Sequence, residues 1–258
     1  MTVITSRSNK LVRRWRELSG DAKARRKERA AMLEGAHLVT AALNAGILVR
    51  SLILSSSGEE KTEHAGAVRH YGKAPVIVSD MVFRAISGTE APAGIAAEIE
   101  IPKTRPDLAG SAGCIFLESV QDPGNIGAIL RSAAAFGIGD AVLGRGCADV
   151  WSPKALRAAM GAHFSMRIAE HMDLADAVGR FGGTLVCTAP REGTPIAQAQ
   201  LPERAGWIFG TEGKGVTRAL AARAALKVTI PMAGLAESLN VGAAAAICFY
   251  ELSRRRKP

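Results

Sequence analysis

Apolar and polar positions follow two rhythms along this chain, and the changes between them separate helices from strands. Over 31–46, Leu33, His37, Leu38, Ala41 and Leu43 recur at helical spacing, which predicts a helix stopped by Gly46. Short apolar runs over 49–54, 76–78 and 94–99 read as strands, with helices near 63–71 and after the capping residue Ser79. Residues 31–101 are thus expected to form a small α/β unit, and 102–112, with Pro102, Pro106 and Gly110, a linker. From 113 to 258, apolar runs near 114–118, 140–144, 165–169, 184–188, 206–210 and 226–230 alternate with helical stretches and end in one more helix. Such alternation predicts an α/β domain whose sheet is mostly parallel, with helices on both faces. No internal repeat is evident.

Charge adds a third region. The 258-residue chain has a formal net charge of +9. Residues 1–30 hold Arg7, Lys10, Arg13, Arg14, Arg16, Lys23, Arg25, Arg26, Lys27 and Arg29 against Glu17, Asp21 and Glu28, and Arg254, Arg255, Arg256 and Lys257 cluster at the other end. The first 30 residues read as a basic helical arm. A solvated terminus or an organelle transit peptide has similar composition, but the three acids interrupt the pattern of the latter. Trp15 lies inside the basic run, where an aromatic ring among arginines suits stacking on unpaired bases. The expected RNA contacts are therefore Arg7, Lys10, Arg13, Arg14, Trp15, Arg25 and Arg26. Without an apolar signal core near Met1 or an uncharged apolar run of roughly 18 residues, neither secretion nor a membrane span is expected. Cys114, Cys147, Cys187 and Cys248 are scattered and the five histidines lack ligand spacing, so no metal and a reducing compartment are expected.

Three strand-to-helix junctions carry the chemistry. The first runs Ser119-Val120-Gln121-Asp122-Pro123-Gly124-Asn125-Ile126-Gly127 and continues to Arg131, six residues beyond Asn125, so that both side chains are expected to face one cleft. The second is Phe209-Gly210-Thr211-Glu212-Gly213-Lys214-Gly215. The third follows Ile230-Pro231-Met232 and opens the last helix with Ser238-Leu239-Asn240. Each residue has a plainer reading. Asn125 and Ser238 suit helix caps, Glu212 suits a helix N-terminus, and Arg131 suits a surface ion pair.

In this order, the junctions resemble the motifs of the SpoU (TrmH) family of S-adenosylmethionine-dependent RNA ribose 2′-O-methyltransferases. The similarity spans about 110–252, includes Ser152-Pro153-Lys154 and Met160-Gly161-Ala162, and departs at Gly242, where many relatives have Ser. Residues 1–100 agree more loosely with the family's RNA-binding extension. The resemblance implies a deep trefoil knot around 206–252 and a homodimer with sites at its interface. It implies S-adenosylmethionine as cofactor, held by Gly210, Glu212, Gly215, Ile230, Met232 and Leu239, and catalysis by Asn125, Arg131, Glu212, Ser238 and Asn240. Arg131 would also meet RNA. Because a guanidinium resists deprotonation, a phosphate clamp suits Arg131 better than a base, though both roles stay open.

The reducing compartment is read as the cytoplasm, and the resemblance implies an enzyme acting on structured RNA, ribosomal RNA before transfer RNA. A nucleotide-binding α/β enzyme is disfavoured by the absence of Gly-x-Gly-x-x-Gly after a strand. A non-catalytic RNA-binding assembly factor would be distinguished by failure to bind S-adenosylmethionine. If four or five cations of the basic run meet phosphates, log affinity for RNA is expected to fall against log salt with a slope of roughly −3 to −4.5, checked by filter binding across a salt series; a flat response would show a purely structural run.

Overall fold

The computed structural model describes residues 3–189, 193–233 and 238–255. Two compact units emerge: one comprises residues up to Lys103 together with Trp151–Phe164, the other Thr104–Val150 and the residues from Ser165 onward.

In the first unit the chain runs α1 (Lys10–Gly20), α2 (Ala22–Glu28), β1 (Ala30–Glu34), α3 (Ala36–Asn44), β2 (Val49–Ser55), α4 (Ser56–Glu59), a 3-10 turn (Thr62–His64), α5 (Ala65–Tyr71), β3 (Val76–Val78), α6 (Asp80–Ile86) and β4 (Ile95–Glu100). Its four strands are ordered β1-β4-β2-β3, antiparallel except for β2 with β3. The helix expected over 31–46 begins only at Ala36, because Ala30 to Leu33 form a strand buried at every position. A strand covered on both faces loses the alternation that would betray it, and its apolar run merges with the next helix.

The basic arm is part of this unit's core. Val12, Trp15 and Leu18 are buried on one face of α1 and pack with Met32, Ile53, Val82 and Phe83. Trp15 is 0 % exposed, and its Nε1 donates to Glu98 Oε2 at 3.0 Å. Glu98, itself 3 % exposed, accepts two bonds from Arg14, which also pairs with Glu28 at 2.7 Å. The carboxylates hold the Arg14 guanidinium pKa above its ordinary value, side-chain hydrogen bonds to Glu98 and then Glu28 being the main causes. Arg25 is buried too and donates to the Leu18 carbonyl at 2.5 Å. Trp15 and Arg25 are thus buried with internal partners and unavailable for the expected stacking and phosphate contact, while the partly exposed Arg14 is paired with Glu98 and Glu28. Arg7, Lys10, Arg13 and Arg26 stay exposed.

Helix α7 (Pro123–Ala135) and strands β5 (Gly113–Leu117) and β6 (Asp140–Gly144) open the second unit, while the following α8 (Pro153–Ala159) belongs to the first. Residues 151–164, inside the span expected for the second domain, pack with the first unit. Ser152 caps α8, Pro153 opens it, and Ala155, Leu156 and Ala159 give it a buried side that packs on β1.

The second unit continues with β7 (Arg167–Met172), α9 (Leu174–Gly179), β8 (Thr184–Thr188), β9 (Thr194–Pro195), β10 (Ala205–Phe209), α10 (Arg218–Ala221), β11 (Leu226–Thr229) and α11 (Val241–Arg255). Its seven strands are ordered β7-β6-β5-β10-β8-β11-β9, and every pairing is parallel. On β10, Ile208 packs with Val178 and Leu220 of α9 and α10, whereas Trp207 and Phe209 meet Phe249 of α11 edge-on. Consecutive strand residues point to opposite faces, so helices cover both sides of the sheet. Asp140 clips three segments at one end, accepting from Ser111 at 2.5 Å and twice from Arg167 at 2.7 Å.

No helix of the described residues is long and apolar enough to cross a membrane. Of the basic C-terminal cluster, Arg254 and Arg255 bond Glu251, while Arg256 and Lys257 lie outside the described residues. Trp15→Ala is expected to lower stability by about 3–5 kcal/mol in urea denaturation, whereas Arg13→Ala changes it by under about 0.5 kcal/mol.

Candidate active site

Strands β5, β10, β8 and β11 are neighbours and parallel, so the loops leaving their C-terminal ends emerge along one edge, where sheets of this type hold ligands. Backbone pairing continues past β5, with Glu118 N–H donating to the Phe209 carbonyl at 2.8 Å. Asp122 then caps α7 by accepting from the Asn125 N–H at 3.0 Å, with Pro123 in the first turn. Because Asp122 is the cap, the Asn125 side chain is left for other partners. It takes two: its Nδ2 donates to Glu212 Oε1 at 2.9 Å, and its Oδ1 accepts from Asn240 Nδ2 at 2.9 Å. Asn240 meanwhile caps α11, its Oδ1 accepting from the Gly242 and Ala243 N–H groups at 2.9 and 3.3 Å. Residues 125, 212 and 240 thereby form one hydrogen-bonded chain, beside Gln121 and Asp122 in an open recess.

Gly242 sits where α11 crosses α7 closely: a Cβ there would lie 3.1 Å from Asn240 Oδ1 and 3.3 Å from Ala128 Cβ. The family's Ser at this position needs a slight shift that glycine avoids.

Glu212 also borders a cavity of about 710 Å³. Gly210, Gly213, Gly215, Ile230, Met232, Ser238 and Leu239 line it, joined by Thr188 and Ala189 at the end of β8 and by Phe209 and Val216. The glycine-rich loop closes on itself: Thr211 and Gly215 exchange backbone hydrogen bonds at 3.1 and 2.9 Å, and Gly215 has a left-handed φ of +66°. A Cβ at Gly210 would fall 2.0 Å from the Gly215 carbonyl oxygen, so no side chain fits there. Main chain at one side and Ile230, Met232 and Leu239 at the other make a wall suited to a flat base and its ribose.

Burial opposes ionisation of Glu212. Hydrogen bonds from Asn125 and from the backbone N–H groups of Glu212, Asp122 and Gln121 outweigh it and hold the carboxyl below its ordinary pKa. Burial also pushes up the thiols of Cys114, Cys147, Cys187 and Cys248, which argues against thiolate chemistry.

Not all expected residues converge. Arg131 is exposed, lines neither the recess nor the cavity, and has no hydrogen bond or ion pair among the described residues. Six residues of helix carry about 600°, leaving Asn125 and Arg131 roughly 120° apart around the axis, and Asn125 lines the recess while Arg131 does not. Ser238 and Leu239 line the cavity and stand apart from the three-residue chain. Glu237, which opens the third motif, lies outside the described residues. The sequence reading missed Asp122 as the cap and Thr188 and Ala189 at the end of β8; their place at the end of a parallel strand was the available signal.

A glycine-walled crevice joined to a carboxylate–amide chain at the strand ends defines a nucleoside-binding α/β protein with polar chemistry at its mouth. The SpoU rRNA Methylase family model matches residues 113–250, and the chain belongs to that family. An MRM3-like substrate binding domain matches residues 9–97. The 23S rRNA (guanosine(2553)-2′-O)-methyltransferase RlmP of Bacillus subtilis (strain 168) is 34% identical over 254 residues, covering 98% of this chain and 99% of that protein. The SpoU methyltransferase AviRb from Streptomyces viridochromogenes, solved in complex with the cofactor AdoMet, superposes with a TM-score of 0.84 at 26% identity, over 96% of this chain and 98% of that one. An AdoMet-bound rRNA methyltransferase from Sinorhizobium meliloti gives 0.84 at 26% identity, over 100% and 99%.

Removing the Asn125 amide leaves burial of Glu212 less opposed, so Asn125→Ala is expected to raise the Glu212 pKa, read by NMR titration of its side-chain carboxyl carbon. Glu212 is depressed, so its stabilising contribution is present above the ordinary carboxylate value and is lost as pH falls through the depressed one. In the variant that loss should begin at higher pH.

Proposed function

We propose that this chain transfers a methyl group from S-adenosylmethionine to a ribose 2′-hydroxyl of structured RNA, ribosomal RNA in preference to transfer RNA. The observation that carries the reading is the Asn240–Asn125–Glu212 chain, whose carboxylate end borders the glycine-walled cavity. S-adenosylmethionine, when bound, supplies an electrophilic methyl group on a positively charged sulfur. Gly210, Glu212, Gly215, Ile230, Met232 and Leu239 would hold it, the first and third by main chain that no Cβ obstructs. Asn240 holds Asn125, Asn125 holds Glu212, and Glu212 with Ser238 orients the ribose. Holding donor and hydroxyl in line supplies much of the acceleration, up to ~7–11 kcal/mol in favourable cases.

Arg131 grips the target phosphate and stabilises the charge developing on the 2′-oxygen as its proton passes to solvent water. Its exposed guanidinium, without a partner among the described residues, suits that role better than proton removal. A homodimer built on α7 and α11 reconciles this with the distance of Arg131 from its own chain's cavity. Ile247 and Tyr250 on α11 are 38% and 55% exposed, and Tyr250 packs edge-on against Phe136 at the end of α7. The trefoil threading of 206–252 belongs to the same reading, supported by α11 lying against both α7 and the Phe209 side of β10. The four free cysteines agree with a cytoplasmic enzyme. The first unit selects the RNA, with Arg7, Lys10, Arg13 and Arg26 as its exposed cations.

The test supplies tritiated S-adenosylmethionine with unmodified ribosomal or transfer RNA and maps alkali-resistant linkages. Incorporation into ribosomal RNA at a 2′-oxygen is expected; no transfer to either RNA would overturn the reading. Arg131→Lys is expected to lower kcat about 100-fold, and near-normal turnover would remove the two-pronged phosphate clamp.

A further inference from the structure

Glu118 lies outside both the cavity lining and the polar chain, yet it makes the shortest bonds to the loop that builds them. Its backbone N–H donates to Phe209, the last residue of β10 before the glycine-rich loop. Its carboxylate reaches the other end of that loop, Oε2 accepting from the Thr217 N–H at 2.7 Å and Oε1 from the Thr217 hydroxyl at 2.8 Å. Thr217 in turn caps α10 by accepting from the Leu220 N–H. One residue at the end of β5 therefore holds both ends of the segment carrying Gly210, Glu212 and Gly215.

The Thr211–Gly215 backbone pair closes the loop on itself but does not tie it to the sheet. Glu118 provides that tie at the exit, while Asn125 and the Gln121 and Asp122 backbone tie the loop through Glu212. Charged acceptors bound to a backbone N–H are the stronger kind of hydrogen bond, and this one is bidentate.

We propose that Glu118 is a positioning residue for the methyl-donor site, clamping the glycine-rich loop through Thr217 so that the cavity is formed before the donor arrives. This inference rests on the proposed function. Releasing the clamp leaves the chemistry of Asn125, Glu212 and Asn240 intact but adds the ordering of the loop to the cost of donor binding. Affinity for the donor should fall while turnover at saturating donor persists.

The test uses the full chain, S-adenosylmethionine and calorimetry, with Glu118→Gln, Thr217→Val, Thr217→Ser and the Glu118→Gln/Thr217→Val double variant. Gln turns one of the two acceptors into a donor; Val keeps the shape of Thr but not its hydroxyl; Ser restores that hydroxyl. Each of the first two is expected to weaken donor binding about tenfold, as loss of a charge-assisted bond does. Thr217→Ser should bind like the parent, the double variant no worse than about twofold below either single one, and kcat should stay within about twofold. Amide exchange at Lys214 and Gly215 should quicken in Glu118→Gln while the β5 amides stay protected. Parent-like donor binding and exchange in both single variants would overturn the clamp while leaving the proposed function standing. Failure of the parent chain itself to bind the donor would take down both.

Discussion

The parallel pairing of β5 with β10 is the constraint from which the site follows. With Leu117 opposite Phe209, the Asp122–Asn125 turn and the glycine-rich loop leave the sheet side by side, although about 90 residues separate them in sequence. A slip of one residue would turn Trp207 and Phe209 toward α9 and Ile208 toward α11, exchanging large aromatics for an aliphatic side chain in two packed layers. The register is therefore held by the core, and the register in turn puts Glu118 within reach of Thr217 and Asn125 within reach of Glu212.

Main chain and side chain divide the site between them. The cavity depends on backbone that turns closely, which is why Gly210 tolerates no Cβ and Gly215 adopts a left-handed conformation. The recess beside it depends on two amides and a carboxylate that satisfy one another, and the same Asn240 that joins them also starts α11. Asn240 is therefore both a helix cap and a member of the hydrogen-bonded chain. Asn125 is not a cap, because Asp122 does the capping.

In the first unit, positive charge has two uses that composition alone does not separate. Glu98 gathers Trp15, Arg14 and, at 3.8 Å, Arg50 around a nearly buried carboxylate, so part of the basic run stabilises the fold. Lys10, Arg13, Arg16, Lys23, Arg26 and Lys27 lie exposed on the same two helices. The spacing of Val12, Trp15 and Leu18 was the sign that α1 has an inward side, but it was masked by the density of arginines around it.

The sequence alone settled the alternation of elements in the second unit, since half-buried helices and turn residues such as Asp122-Pro123-Gly124 leave local patterns that survive without a partner. It also disclosed the three junctions, because glycine, proline and asparagine at strand ends answer to local backbone geometry. It did not disclose β1, whose two covered faces erase periodicity, nor the passage of 151–164 into the first unit, nor the burial of Trp15 and Arg25. These depend on what lies across from a segment, which a one-dimensional pattern does not record. The separation of Arg131 from Asn125 was computable from helix pitch. The meeting of Asn125, Glu212 and Asn240 was decided only when parallel strands brought distant loops to one edge, because hydrogen bonds of 2.9 Å demand a precision that spacing along the chain does not supply.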